Sequence, residues 1–292
     1  MHVIITGGSS GIGLEIARNY ACRGARVTLM ARDRQRLDLA RATLLQEPNV
    51  ATENLHVVSV DVTRMQEVVK AFETAVEVNG PCDVLVAAAG EVEVAMFKDM
   101  AAEIFDSQIA TNITGTVNTV RACYGAMQAR GEGKIMVIAS AAALIGIPGY
   151  TAYCASKSAL TGFAEALAAE AKGSGIEVMI SYPPDTATPQ YARERIQRSP
   201  EAWLLIGQPR ERPASEVARK IVHAIGSGTG KHMFGTRLRF LHLFGPLIKP
   251  IVYCWFHWRL RGIAAGSGPA DPIAENDKPK VKTSGAVGGG PL

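Results

Sequence analysis

The stretch Val3-Ile4-Ile5-Thr6-Gly7-Gly8-Ser9-Ser10-Gly11-Ile12-Gly13 decides the fold. An unbroken aliphatic run suits a strand buried on both faces, and a helix-forming stretch begins at Ile12. Between them, Gly7 lets the chain turn sharply, and Gly11 lets backbone N–H groups approach a pyrophosphate. Gly13 allows close helix–strand packing, while the helix N-terminus brings partial positive charge. A plain strand-to-helix turn needs no three glycines at this spacing. The turn, with Ser9, Ser10 and Ile12 inside it, predicts dinucleotide binding.

Outward from the turn, short apolar runs at 3–6, 27–31, 56–60, 84–88, 135–139 and 178–182 alternate with helix-period stretches. The latter lie at 12–23, 34–46, 64–78, 101–130, 153–172 and 215–225. This alternation predicts crossover units and a doubly wound parallel α/β sheet of the Rossmann type. One large domain is expected over 1–236, then an apolar, basic segment at 237–262 and a flexible tail at 263–292. The tail is Gly, Pro, Ser, Ala and Lys with almost no large apolar residue, too little to order itself.

The second strand ends at Ala31-Arg32-Asp33, with Arg34 and Arg36 close behind. An acid at that strand end accepts from a ribose 2′-hydroxyl, whereas a guanidinium makes charge-assisted contacts to a 2′-phosphate. Arg32 takes the first position after the strand and Arg36 is a second clamp. NADP(H) is therefore expected over NAD(H).

The chain has 292 residues, 47% of them apolar and 20% charged, which allows a substantial core and excludes a mainly disordered protein. Lys plus Arg is 31 and Asp plus Glu 27, a net charge of +4. That excess is too weak for a nucleic-acid binder, and no nucleic-acid motif accompanies it. Cys22, Cys82, Cys123, Cys154 and Cys254 are dispersed, which fits thiols in a reducing compartment better than a disulfide framework. The six histidines show no metal-ligand spacing, so no metal is expected. The first residues run straight into the strand, and no cleavable secretory signal is visible.

Tyr153-Cys154-Ala155-Ser156-Lys157 lies near the start of a helical stretch, and a spacing of four puts Tyr153 and Lys157 on one face. An ammonium beside a phenol favours the phenolate and is expected to lower the tyrosine pKa. Tyr153 then becomes a proton donor to a carbonyl receiving hydride. Ser140 ends the strand at 135–139, at the sheet edge where ligands bind, and is placed to hold the substrate oxygen. Asn112 falls within the preceding helical stretch, either as a satisfied buried amide or as part of a water relay.

In order along the chain, the glycine turn, Asp61-Val62, Ala89-Gly90, Asn112, Ser140, Tyr153 and Lys157 resemble the short-chain dehydrogenase/reductase family. The resemblance covers roughly three quarters of the chain. It implies that Tyr153 is the general acid/base, that Lys157 assists it and holds the nicotinamide ribose, and that Ser140 orients the carbonyl. Asn112 would support a water-linked proton path, Asp61 and Val62 would contact adenine, and Ala89 and Gly90 would border the cofactor. Within the family the chain most resembles 3-ketodihydrosphingosine reductases, through the glycine turn, Ala31-Arg32 with Arg36, and Tyr182-Pro183-Pro184-Asp185-Thr186-Ala187-Thr188-Pro189. Paired prolines stiffen the backbone where it leaves the sixth strand, so Pro183 would lie beside the nicotinamide. Thr186 and Thr188 would offer hydroxyls to the carboxamide or pyrophosphate. Two positions depart from the pattern: Ala187 replaces an acid, and the turn after the fourth strand, Ala87-Ala88-Ala89-Gly90, lacks the usual asparagine that braces neighbouring strands.

From Phe240 to Trp258 the chain is apolar except for polar interruptions such as Lys249, with Pro246 and Pro250 flanking that lysine. A straight span needs about 20 apolar residues with every backbone group satisfied, so a bent, interfacial or re-entrant element is expected. Tyr253, Trp255 and Trp258 suit the headgroup level, and the flanking arginines suit anionic lipid. A lid over the substrate pocket or a dimer contact are the alternatives.

The combined expectation is NADPH-dependent reduction of a long-chain, lipid-like ketone in sphingolipid metabolism, 3-ketodihydrosphingosine to dihydrosphingosine. The enzyme would form a homodimer or tetramer and sit on the cytosolic face of the endoplasmic reticulum membrane. Glu91, Glu93 and Asp185 are positional candidates for binding a substrate amine. Alternatives are a family reductase of a steroid, retinoid or 3-oxoacyl substrate, or a non-catalytic NADPH-sensing scaffold.

Overall fold

The computed structural model describes residues 1–207 and 210–264, which fall into two compact units, Met1–Lys249 and a second beginning at Pro250. The tail expected over 263–292 lies, beyond its first two residues, outside the described residues.

Strand β1 (His2–Thr6) feeds helix α1 (Gly11–Ala21), β2 (Arg26–Ala31) feeds α2 (Arg34–Leu44), and β3 (Leu55–Ser59) feeds α3 (Met65–Asn79). Strand β4 (Val84–Ala87) leads to α4 (Ala102–Ile109) and α5 (Gly115–Arg130), and β5 (Gly133–Ile138) leads to α6 (Thr151–Glu170). After β6 (Ile176–Tyr182) come a short strand β7 (Thr186–Ala187), helices α7 (Pro189–Gln197) and α8 (Pro200–Ile206), and strand β8 (Arg212–Pro213). Helix α9 (Ala214–Gly226), strand β9 (Lys231–Met233) and helix α10 (Thr236–Ala264) follow.

Among the described residues, seven parallel strands form one sheet in the order β3-β2-β1-β4-β5-β6-β9, and β7 pairs with β8. The order reverses between β1 and β4, whose carboxyl ends therefore open a crevice for a ligand. Alternating residues of β1 explain why the strand reads as continuous aliphatic. Val3 and Ile5 pack toward Ile16, Leu37 and Ile221 of one helix layer, while Ile4 joins Phe72, Met127 and Leu160 of the other. Even the buried imidazole of His2 is satisfied, by Gly80 O at 2.7 Å and Thr28 Oγ1 at 2.9 Å.

The expected strands and helices are present with ends shifted by a few residues, and the structure adds elements of its own. The helix expected over 101–130 is two helices joined by a π-helical turn, Ala110–Thr114. Helices α7 and α8 each begin with a hydroxyl cap followed by proline, Thr188-Pro189 and Ser199-Pro200, a start signal that suits proline at the first helical position. Strand β9 is only three residues long and extends the sheet beyond β6. The segment expected over 237–262 lies within one helix of 29 residues that includes Pro246 and Pro250. Among the described residues, no helix is long and apolar enough to cross a membrane.

Candidate active site

The glycine turn forms a cradle at the carboxyl end of β1. Gly7 has φ +68°, and a Cβ there would stand 2.6 Å from Ala88 O, so glycine is required on both backbone and steric grounds. A Cβ on Gly13 would meet Gly7 O at 2.4 Å, which is the close helix–strand packing the sequence implied. Gly11, at φ +56°, faces Thr188 Cγ2, 3.0 Å from where its Cβ would be. Ser10 caps α1 in an extended conformation, yet its side chain makes no capping hydrogen bond. Ser10 is exposed, and Ser9, Gly11 and Ile12 are partly exposed, so the first N–H groups of α1 and a free hydroxyl face the crevice. The bracing expected of the missing asparagine after β4 comes from Thr6, whose Oγ1 accepts from Ala89 N at 3.3 Å.

At the β2 end, Arg32 is 58% exposed and its guanidinium donates to Glu91 Oε2 at 3.1 Å. Arg36 pairs with Asp33 at 3.2 Å, while Asp33 also caps α2 by accepting from Arg36 N. Both arginines thus stand at the expected strand end, each held by a carboxylate that a phosphate would displace. Asp61 follows β3; burial alone would raise its pKa, but two hydrogen bonds from Thr63 and the charges of Arg32 and Arg64 hold it below the usual carboxylate range. Val62 is buried against Gly115, and its carbonyl accepts from Asn118 Nδ2 at 2.9 Å.

The four expected catalytic residues converge at the next edge of the sheet. Ser140 leaves β5 in extended conformation and accepts from Ala142 N at 3.1 Å, and Ala141 N donates to Pro183 O at 2.9 Å. That bond ties the serine to the double-proline segment leaving β6. The Ser140 hydroxyl lies near enough to the Tyr153 phenol to counter part of the rise in its pKa. Lys157 lies one turn along α6, with Nζ 5.6 Å from the centre of the Tyr153 ring and donating to Ile138 O at 3.1 Å. Asn112 sits in the π-turn, fully buried; its amide donates to Glu91 O and Ser156 Oγ and accepts from Glu91 N. The side-chain amide is thus satisfied within the protein. A Cβ on Gly90 would stand 3.1 Å from Asn112 Oδ1 and 3.2 Å from Lys157 Nζ, so glycine there lets the loop after β4 pack closely against both.

The electrostatics differ from the expectation in one respect. Burial, then the charge of Glu194, raise the Tyr153 pKa, and the Ser140 hydroxyl offsets only part of this. Lys157 is itself lowered to about 8 by desolvation. The expected lowering of the phenol by its ammonium neighbour is therefore overridden in the protein alone. Tyr153 is held protonated, the form a proton donor needs.

Sequence reasoning missed a second group of residues beside Tyr153. The Tyr150 ring lies edge-on to Tyr153 with centroids 6.3 Å apart, and its hydroxyl donates to Glu194 Oε1 at 2.9 Å. Arg198 donates to the Tyr150 hydroxyl, to Asp185 Oδ2 and to Glu194 Oε1. Only the spacing of Tyr150 and Tyr153, three apart on α6, hinted at this. Asp185, a positional candidate from the sequence, comes from the turn after β6, and Glu194 and Arg198 come from α7 and the turn after it, which show no decisive periodicity. Thr186 donates to Pro184 O at 2.7 Å, and Thr188 accepts from Tyr191 N at 3.1 Å as the cap of α7. Glu93 is exposed and its carbonyl accepts from Gln108.

The cradle at Gly7, Gly11 and Gly13 and the Ser10 hydroxyl, which makes no capping hydrogen bond at the start of α1, fit a dinucleotide. Comparison with known proteins agrees. The short chain dehydrogenase family profile matches residues 1–199. The chain is 37% identical over 235 residues to the 3-dehydrosphinganine reductase of Danio rerio, covering 80% of this chain and 71% of that protein. It is 35% identical over 236 residues to the 3-ketodihydrosphingosine reductase of Bos taurus, with the same coverage, 80% and 71%. Among solved structures, a variant of actinorhodin polyketide ketoreductase with NADPH superposes with a TM-score of 0.73 at 30% identity, over 81% of this chain and 96% of that one. The match in sequence and fold places this chain in the short-chain dehydrogenase family.

Proposed function

We propose that this protein is an NADPH-dependent ketone reductase whose substrate is 3-ketodihydrosphingosine, reduced to dihydrosphingosine. The observation that carries the reading is the Ser140–Tyr153–Lys157 arrangement beside the glycine cradle, in a chain whose relatives bear that activity in their names. NADPH, when bound, supplies the hydride. The N–H groups of α1 and the Ser10 hydroxyl would hold its pyrophosphate, and Arg32 with Arg36 its 2′-phosphate. Ser140 holds the carbonyl oxygen, and Tyr153, kept protonated by its surroundings, gives that oxygen its proton. Lys157, an ammonium at neutral pH, faces the developing phenolate across the ring edge and stabilises it. Asn112 holds the backbone of Glu91, fixing the loop after β4 on which Gly90 lies.

Tyr153→Phe removes the proton but little volume. It is expected to bind NADPH as the parent does and to lose about 10²–10⁴ in turnover of 3-ketodihydrosphingosine. Near-parental turnover would rule out Tyr153 as the acid. Turnover of a steroid ketone or an acyl thioester ketone in preference to 3-ketodihydrosphingosine would reassign the substrate.

The membrane surface is the second part of the proposal. Phe240, Leu243, Phe244, Leu247, Ile251, Trp255 and Trp258 are exposed on α10 at spacings of three and four, an apolar face. Arg237, Arg239, Lys249, Arg259 and Arg261 lie along the same helix. Such a helix lies in the interface of an anionic leaflet rather than across it. This supports the cytosolic face of the endoplasmic reticulum as the site of action, where a long-chain ketone resides. A homodimer or tetramer through the helices carrying Asn112 and Tyr153 completes the proposal, and light scattering measures it.

A further inference from the structure

Asp185, Glu194 and Arg198 stand beside the proton donor without a part in the proton transfer above. The Arg198 side chain is only 1% exposed, bonded to Asp185 Oδ2 at 2.9 Å, Glu194 Oε1 at 2.7 Å and the Tyr150 hydroxyl at 2.9 Å. Its guanidinium also lies 4.6 Å from the Trp203 ring centre. A cation so desolvated needs a carboxylate, and one neutralises it. Two carboxylates therefore leave the group with one negative charge in excess.

Asp185 is the member with capacity to spare. Arg198 and the Tyr191 hydroxyl both bond Oδ2, while Oδ1 accepts no hydrogen bond among the described residues, and the side chain remains 22% exposed. The charges of Glu194 and Asp185 both reach the Tyr153 phenol and oppose its ionisation. For simple carbonyl reduction that is counterproductive, because proton donation leaves a phenolate that these carboxylates repel. The opposition is cancelled when the bound substrate brings a positive charge of its own to this corner.

We propose that Asp185 is a specificity-determining residue that receives the ammonium group of a ketone aminated next to its carbonyl. The inference rests on the 3-ketodihydrosphingosine reading and adds to it the residue that recognises the amino group. The substrate ammonium hydrogen-bonds Asp185 Oδ1 while the neighbouring carbonyl oxygen lies between Ser140 and Tyr153.

The test measures, with the full chain, kcat/KM for 3-ketodihydrosphingosine and for the same ketone lacking the amino group, in the parent and in Asp185→Asn. The parent is expected to favour the amino ketone by about 10- to 100-fold, chiefly through KM. Asp185→Asn is expected to abolish most of that preference and leave the desamino ketone unchanged or faster. The ratio within one preparation is independent of the fraction folded, so partial unfolding of the variant does not obscure it. Raising the pH through the pKa of the substrate amine is expected to erode the preference in the parent only. A variant that slows both ketones equally, or keeps the preference, overturns the role of Asp185. A parent that reduces neither ketone overturns the reductase reading itself, and the inference with it.

Discussion

Arg32 and Glu91 make the cofactor end of the crevice a competition between two anions. In the protein alone the guanidinium is bonded to Glu91 at 3.1 Å, so a 2′-phosphate must take that place. An exposed pair of this kind is worth roughly 0–1 kcal/mol, whereas charge-assisted bonds to phosphate are worth about 1.5–3 kcal/mol. Arg32→Ala is expected to weaken NADPH binding by about 10- to 100-fold and leave NADH binding nearly unaltered. Glu91→Gln is expected to tighten NADPH up to about fivefold. Titration of nucleotide fluorescence reads all of these, and equal losses for both nucleotides on Arg32→Ala would remove Arg32 from phosphate recognition. Arg32 was visible in the sequence because the end of β2 is a fixed place relative to the glycine turn. Glu91 as its partner was not, because 59 residues separate them and only the folded sheet, with β2 and β4 on either side of β1, brings them together.

Short elements carry consequences out of proportion to their length. Strand β9 holds His232, whose Nδ1 is bonded to Ser181 Oγ at 3.1 Å and whose ring meets Phe234 edge-on at 4.6 Å. Desolvation, with the nearby charges of Arg239 and Lys220, lowers its pKa from 6.5 to about 4. Between those values the unfolded chain takes up a proton that the folded chain refuses. Stability therefore falls as pH falls through that window, by up to about 3 kcal/mol from this group. Urea denaturation at pH 7 and pH 5 is expected to show the loss, and His232→Gln to reduce it. An unchanged pH dependence in the variant would show that the imidazole is not the group responsible. The π-turn Ala110–Thr114 is a second such element: it carries Asn112 within a helix whose sequence reads as continuous. Nothing in the 3.6-residue periodicity announces one extra residue in a turn.

At the scale of the whole molecule, α10 is the element on which the proposed membrane contact rests. Leu238 and Leu241 pack against the core of the first unit, so deleting the whole helix would uncover that core. Substitution at the exposed face is the cleaner probe. Trp255→Ser with Trp258→Ser is expected to leave the melting temperature within a few degrees and to reduce flotation with vesicles containing anionic lipid at least about tenfold. Loss of flotation with neutral vesicles but not anionic ones would assign the contact to the basic residues instead. Flotation unchanged by both substitutions would exclude this face as the membrane contact.

The alternation of strands and helices and the glycine cradle were legible before any coordinates, since each depends on local spacing. Asn112, Ser140, Tyr153 and Lys157, by contrast, were singled out by resemblance, and the order of strands in the sheet was decided only by the fold. Asp185, Glu194, Arg198 and Tyr150 became a group only in three dimensions. They come from the segment after β6, from α7 and the turn following it, and from the start of α6, segments with no common periodicity. The protonation of Tyr153 was decided the same way. Sequence places an ammonium four residues away, but the balance between that charge, burial and two carboxylates depends on which groups lose their water, and packing alone determines that.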